Sequence, residues 1–140
     1  MTPQIYMLDT DTDTCIFLMR GDSAALIAKV QTVPLQQQVM SAVTFAELTY
    51  GVQASAASKR KQNQAVLDSL ARHLTVLDWP QEAAPHCAEI RLDLKKRGAQ
   101  LGAADLMIAP HARATGAAVV SNDTKDFGRV KGLLVENWTR

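Results

Sequence analysis

Short apolar segments alternate with longer segments of helical periodicity along this chain, and this alternation constrains its fold more than any other feature. The apolar runs predict strands over residues 5–8, 39–43, 74–77, 117–121 and, at a sheet edge, 133–136. The segments between them predict helices over residues 15–19, 24–33, 44–50, 59–73, 81–96 and 103–115. Strands that alternate with helices are typical of an α/β sandwich built on a mainly parallel sheet.

Length and composition indicate one globular domain. The chain has 140 residues, of which 47% are apolar and 21% charged, and a chain of this size buries enough surface to fold without disulfides. No repeat or linker divides it, so we expect a single domain over residues 1–140. The formal net charge is only +1, which excludes a broad cationic coat for binding a polyanion.

The cysteines and the apolar runs bear on the compartment. Cys15 and Cys87 are far apart and have no paired spacing, which argues against a disulfide framework or a zinc site. No apolar run approaches the roughly 18 residues of a membrane span, and the first four residues do not open a signal peptide. We therefore expect a cytoplasmic protein without a membrane-spanning segment.

Four acidic residues stand where predicted strands end or where the following helices begin: Asp9, Glu47, Asp105 and Asp123. Each has an ordinary structural explanation when it is taken alone. Asp9 can cap a helix, and Asp123 can form an Asx turn. Glu47 can complete a capping box with Thr44. Asp105 is favoured by the helix dipole, but its apolar neighbours make a lone buried carboxylate costly there.

Taken together, the four acids favour a different interpretation. Ligand sites of open α/β sheets lie at the carboxyl ends of the strands, so these side chains are expected to converge. Converging carboxylates repel one another and raise each other's pKa values, and a divalent cation such as Mg²⁺ or Mn²⁺ relieves that repulsion. A site of this kind can activate water and hold a phosphate, so the pattern favours hydrolysis of a phosphodiester.

Five segments form an ordered set along nearly the whole chain. They are 7–11 (MLDTD), 41–51 (SAVTFAELTYG), 102–112 (GAADLMIAPHA), 120–127 (VSNDTKDF) and 135–138 (VENW). No single segment is highly specific, but their order and spacing are. The set resembles the PIN-domain ribonucleases, specifically the VapC-type toxins of bacterial toxin–antitoxin pairs.

This resemblance implies a three-layer α/β/α PIN fold and a Mg²⁺- or Mn²⁺-dependent endoribonuclease. It places the metal on Asp9, Asp105 and Asp123 and assigns Glu47 to orienting the site or assisting the attacking water. Ser121 matches a serine or threonine position near the metal. The resemblance further implies inhibition by a small VapB-like antitoxin, a homodimer, and an RNA substrate, tRNA being one that several family members cleave.

The sequence departs from the family pattern at two places. Residues 9–13 read Asp-Thr-Asp-Thr-Asp, where the family usually has one Asp-Thr-Asn or Asp-Thr-Asp before its first helix. We assign the first acid to Asp9, because choosing Asp11 extends the strand and places Asp9 at a core position. Pro110 stands where the family usually has alanine, and we expect it to remove a helical hydrogen bond to the carbonyl of Leu106 and to kink the helix.

Other functions fit the residues less well. An EF-hand loop starting at Asp9 needs glycine and glutamate where the chain has Thr14 and Arg20, which excludes a calcium loop. A haloacid-dehalogenase-like phosphatase, with its nucleophile at Asp11, is the enzyme alternative, but it leaves Glu47 unexplained. A module that binds RNA or an antitoxin without cleavage is the non-enzyme alternative.

Two basic clusters and three histidines are further candidate functional residues. The clusters at 59–61 and 95–97 are typical of solvated helix faces, and they become candidates for RNA contact only if the chain is a nuclease. His73, His86 and His111 lack ligand spacing and are interpreted as ordinary helical residues, with no catalytic triad.

Overall fold

The central feature of the fold is a five-stranded, all-parallel sheet. The structure is a computed structural model that describes residues 3–9 and 24–138. Its strands are β1 (Tyr6–Leu8), β2 (Gln38–Ser41), β3 (Thr75–Leu77), β4 (Ala118–Val120) and β5 (Leu134–Glu136). They are ordered β3-β2-β1-β4-β5, and every neighbouring pair is parallel. The predicted strands and their parallel arrangement are confirmed.

Helices connect the strands as the alternation predicts. Within the described residues they are α1 (Ala24–Thr32), α2 (Ala42–Gln53), α3 (Ala57–His73), α4 (Ala83–Lys96), α5 (Asp105–Thr115) and α6 (Thr124–Phe127), with a short 3-10 helix at Leu35–Gln37. The helix predicted over residues 15–19 lies outside the described residues. Among the helices that are described, none combines the length and apolar character needed to cross a membrane.

The helices cover both faces of the sheet, because successive side chains of a strand point to opposite sides. On one face Met7 of β1 packs with residues of α4 and α5, such as Ile90 and Ile108. On the other face the next residue, Leu8, packs with Leu48 of α2 and with residues of α3. Three layers result, which confirms the predicted α/β/α sandwich.

Helix α2 begins earlier than the sequence predicts, at Ala42 instead of Thr44. Its cap is Ser41, whose hydroxyl accepts a hydrogen bond from the amide of Val43 at 3.1 Å. Thr44 lies inside the helix, where it is buried and its hydroxyl has no hydrogen-bond partner among the described residues. The assignment of a capping box to Thr44 and Glu47 is therefore wrong, because Ser41, the last residue of β2, is the N-cap of the helix.

Pro110 lies inside α5, yet the helix continues on both sides of it. Proline lacks the amide hydrogen that a helix would supply to the carbonyl of Leu106. The thiol of Cys87 donates to that carbonyl at 3.7 Å, and the indole N–H of Trp79 donates to the next carbonyl, that of Met107, at 2.9 Å. Side chains from outside the helix thus donate hydrogen bonds to carbonyl groups of α5 next to the place where Pro110 removes a backbone hydrogen bond.

Candidate active site

The site lies where β1 and β4 run side by side at the centre of the sheet. Strand β2 follows β1 along the chain and lies on one side of it, whereas β4 lies on the other side. In open α/β sheets, a change of direction of this kind leaves a crevice at the carboxyl ends of the strands. Asp9 directly follows β1, and its amide donates to the carbonyl of Val120 at 2.8 Å. The first predicted acid is therefore held at this crevice.

Ser121 connects the ends of the two central strands. Its hydroxyl donates to Oδ2 of Asp9 at 3.0 Å and accepts from the amide of Asp123 at 2.9 Å. Both Ser121 and Asp9 are buried, at 2% and 9% exposure, so this connection is shielded from water. The serine predicted to lie near the acids is thus in direct contact with two of the predicted site residues.

Three carboxyl groups converge beside this connection: those of Asp105, Asp123 and Asp126. One carboxylate oxygen from each lies within 4.8 Å of the others, and all three residues are partly buried. Asp105 begins α5, whereas Asp123 caps α6 by accepting from the amide of Asp126 at 3.2 Å. We call these three residues the acidic cluster.

The carboxyl groups of the acidic cluster lie close enough to repel one another. Burial raises the pKa of Asp123 above its ordinary value, and the neighbouring carboxyl of Asp126 raises it further. The amide of Asp126 and the guanidinium of Arg129 act in the opposite direction. Arg129 lies 3.2 Å from Asp126 and offsets part of the negative charge of that carboxylate. A cation placed among these carboxylates would lower their energy.

The donor set fits Mg²⁺ or Mn²⁺. Both ions prefer hard oxygen ligands, and Mg²⁺ holds them at about 2.1 Å in octahedral geometry, so two of its ligands lie about 3 to 4 Å apart. The oxygens of the acidic cluster lie within 4.8 Å of one another, which is close to that separation. No histidine or cysteine joins them among the described residues, which disfavours zinc.

The structure brings together part of the predicted set. Asp105 and Asp123 belong to the acidic cluster, and Asp9 is joined to Asp123 through Ser121. Glu47 is exposed on α2 and lies outside the cluster, so its role stays a prediction. Asp11, the alternative first acid, lies outside the described residues.

Asp126 is the cluster member that the sequence reasoning missed. A signal was present, because Asp126 follows Asp123 by three residues within a predicted motif, and residues three apart lie on one face of a helical turn. Without the short helix α6, which was not predicted, that spacing had no structural meaning.

Comparison with known proteins identifies the family. The PIN domain family matches residues 10–133. The tRNA(fMet)-specific endonuclease VapC of Shigella flexneri is 36% identical over 129 residues, which covers 92% of this chain and 96% of that protein. Ribonuclease VapC2 of Rickettsia felis is 34% identical and covers 97% and 99% of the two chains. The crystal structure of VapBC2 from Rickettsia felis, bound to a DNA fragment from its promoter, matches with a TM-score of 0.85 and 32% identity over 96% of this chain and 99% of that chain.

The chain is a parallel three-layer sandwich with carboxyl groups at the carboxyl edge of its sheet. Together with these matches, that architecture defines it as a PIN domain. The chain belongs to the VapC ribonucleases of the PIN domain family. The expected function class, an endoribonuclease of the toxin–antitoxin type, is confirmed at that level.

Proposed function

We propose that this chain hydrolyses RNA phosphodiester bonds with Mg²⁺ or Mn²⁺ held at the acidic cluster. The observation that carries the proposal is the convergence of Asp105, Asp123 and Asp126 within 4.8 Å at the carboxyl edge of the sheet. A bound Mg²⁺ or Mn²⁺ supplies a Lewis acid for the phosphate and lowers the pKa of a coordinated water. The chain's own residues bind and position that ion.

We assign the ion to Asp105 and Asp123, with Asp9 as a further ligand, directly or through water. Ser121 donates to Oδ2 of Asp9 and accepts from the amide of Asp123, which holds both residues in register. Asp126 adds a third carboxylate to the cluster while Arg129 restrains it. Glu47, exposed on α2, is accessible to RNA and is proposed to orient the attacking water.

The first test is RNA cleavage by Asp105→Asn and by the parent chain, with Mg²⁺ and with EDTA. We expect the substitution to lower the cleavage rate by about 100-fold or more, because a charged ligand contributes several kcal/mol to the transition state. EDTA should abolish parent activity, and Mg²⁺ or Mn²⁺ should restore it.

Asp68→Asn is the matched control, because Asp68 is an exposed acid on α3 that accepts a hydrogen bond from Gln64 and lies outside the cluster. It should cleave like the parent. Equal cleavage by the parent and Asp105→Asn overturns the proposal. Absence of cleavage by a folded, antitoxin-free parent favours instead a module that binds RNA without cutting it.

For the substrate and the partner, we propose a tRNA and a VapB-like antitoxin. The Shigella relative is named a tRNA(fMet)-specific endonuclease, and the Rickettsia neighbour is a VapBC2 complex. Incubation with purified tRNAs should yield discrete fragments, which end mapping locates, and addition of the antitoxin should suppress them. Cleavage of unrelated RNAs at the same rate contradicts the tRNA assignment.

A homodimer and a cytoplasmic location remain proposals that the family resemblance suggests. Light scattering of the antitoxin-free chain tests the first, and fractionation of the source cells tests the second. Membership of the VapC ribonucleases speaks against the phosphatase alternative, whose proposed nucleophile, Asp11, lies outside the described residues.

A further inference from the structure

A groove of about 670 Å³ runs along the exposed side of α4. The turn at 98–101 forms its opposite wall. Apolar side chains, among them Leu92, Leu101 and Leu106, line much of the groove, and Leu92 is 54% exposed. We call this the α4 groove. A large leucine this exposed at the wall of a concave surface offers area for an apolar or aromatic group.

Two cations, Arg91 and Lys95, also line the α4 groove. They lie one helical turn apart on α4, and both are exposed. Neither takes part in an ion pair within the described part of the chain. Their charges are therefore available to a ligand.

The acids of α4 are neutralised elsewhere. Glu89 pairs with Arg113 at 3.1 Å. Asp93 pairs with Arg97 at 2.7 Å and with Lys131 at 3.2 Å. These pairs satisfy the negative charges of the helix. Among the residues that the structure describes, Arg91 and Lys95 join no such pair, and together they contribute a charge of +2 to the groove. The near-neutral chain thus carries a local cationic surface.

The α4 groove adjoins the acidic cluster at two points. Leu106 lines the groove and directly follows Asp105 in α5. Nη1 of Arg129 lies 3.2 Å from the carboxylate of Asp126 and donates to the carbonyl of Gln100, which also lines the groove, at 2.8 Å. A polymer cut at the cluster can therefore continue along α4.

We propose that the α4 groove binds the RNA strand that flanks the cleaved phosphate. Arg91 and Lys95 contact backbone phosphates, and the apolar wall formed by Leu92 and Leu101 receives a base. The proposal rests on the ribonuclease function, and it adds a substrate-binding surface to it. Unpaired cations beside an apolar wall suit single-stranded nucleic acid, which presents charge and flat bases together.

The test compares the double variant Arg91→Gln/Lys95→Gln with a control of equal charge change, Lys29→Gln/Arg72→Gln. The control residues are exposed, and each lies in a helix that leads to the amino end of a strand, at the edge of the sheet opposite the acidic cluster. The measurement is binding of a fluorescent single-stranded RNA that contains the cleavage site, in EDTA so that the RNA is not cleaved. The salt concentration is varied from roughly 50 to 200 mM, a range over which phosphate contacts lose much of their affinity.

Each lost phosphate contact should make the slope of log K against log salt shallower by about 0.7, so the groove variant should lose about 1.4. If the two contacts contribute nothing at 1 M salt, this change in slope means that the groove variant binds RNA roughly 25-fold more weakly than the parent at 0.1 M salt. The control should retain the parent's affinity and slope. A charge-preserving variant, Arg91→Lys/Lys95→Arg, should also bind like the parent, and circular dichroism verifies that all variants fold.

Two results overturn the groove proposal. Either the groove variant binds RNA with the parent's affinity and slope, or the control variant loses as much RNA affinity as the groove variant does. A parent that shows metal-dependent cleavage while the groove variant binds normally rejects the groove alone. A parent that neither binds nor cleaves RNA rejects the ribonuclease function and the groove together.

Discussion

Two carboxylates in this protein, those of Asp93 and Asp123, stand in opposite electrostatic surroundings. Asp93 on α4 accepts hydrogen bonds from Arg97 and lies beside Lys131, and the Arg97 guanidinium is the main reason that the pKa of Asp93 is lowered. Asp123 lies beside Asp126, and burial together with that second carboxyl raises its pKa. Cations of the chain itself offset the charge of Asp93, whereas Asp123 faces a second carboxyl group.

This difference separates structural acids from functional ones. A balanced carboxylate needs no ligand, and its pairing contributes modestly to stability at an exposed position. Carboxylates that repel one another, as Asp123 and Asp126 do, destabilise the folded chain, and such clusters are retained where function needs them. The following experiments test that contrast, starting with the largest expected effect.

Asp123→Asn is expected to lower the cleavage rate strongly without destabilising the fold. It removes one charge from the acidic cluster, and asparagine can cap α6 as well as aspartate does. We expect cleavage to fall by about 100-fold or more, while the melting temperature in EDTA stays equal or rises because repulsion from Asp126 is relieved. A clear drop in melting temperature contradicts this account, since the lost activity would then report unfolding.

Mg²⁺ or Mn²⁺ is expected to stabilise the parent against heat. A ligand that binds only the folded state adds about 2.7 kcal/mol at 100 times its dissociation constant. Asp126→Asn and Asp123→Asn should show a much smaller shift, and Asp93→Asn should shift like the parent. Thermal unfolding followed by circular dichroism, with and without the ion, measures the effect. Equal shifts in all four proteins would place the ion elsewhere.

His111 offers a third electrostatic setting, in which burial alone acts. It is fully buried, its Nδ1 lies 2.8 Å from Oγ of Ser41, and its Nε2 has no hydrogen-bond partner among the described residues. Burial lowers its pKa below the ordinary value. This pair joins the helix of Asp105 to the residue that caps α2.

The direction of the pH effect follows from that lowered pKa. Between the ordinary histidine pKa of about 6.5 and the lower folded value, the unfolded chain binds a proton that the folded chain does not. The free energy of unfolding should therefore decrease as the pH falls below about 7, by at most about 1.4 kcal/mol per pH unit.

Denaturant unfolding between pH 7.5 and 5.5 measures that slope. His111→Gln should be less stable than the parent at pH 7.5 but should lose less stability on acidification. Val119→Ala, a core substitution that keeps the imidazole, should be destabilised and retain the parent's slope. A His111→Gln slope equal to that of the parent contradicts the assignment.

Asp93→Asn should have the smallest effect. Its partners Arg97 and Lys131 are solvent-accessible, and ion pairs of this kind contribute little. We expect RNA cleavage to remain within about twofold of the parent's and the melting temperature to decrease slightly. A loss of activity comparable to that of Asp123→Asn would contradict the distinction between Asp93 and the acidic cluster.

The elements were predictable because their signals are local. Apolar runs and helical periodicity located the five strands and the longer described helices within a few residues. The start of α2 was misplaced, because Thr44 and Glu47 match a capping box in the sequence although Ser41 occupies the cap in the structure. Ser41 and Thr44 are both candidate N-cap residues, and the residue at which β2 stops pairing decides between them.

The candidate site was predictable in part, for a related reason. Strand ends pointed to Asp9 and Asp123, and the apolar neighbours of Asp105 marked it as unusual. The membership of Asp126 in the cluster and the pairing of Glu89 with Arg113 depend on distances between residues in the folded chain. The order of residues along the chain does not give those distances.

The sequence by itself determined the α/β class, the order of the strands along the chain and the presence of acids at their ends, because backbone preferences and periodicity act over a few residues. Only the tertiary structure decided which acids meet, which cations are already paired, and that α4 offers a groove beside the acidic cluster. Electrostatic balance is a sum over neighbours in space, and the fold alone specifies those neighbours.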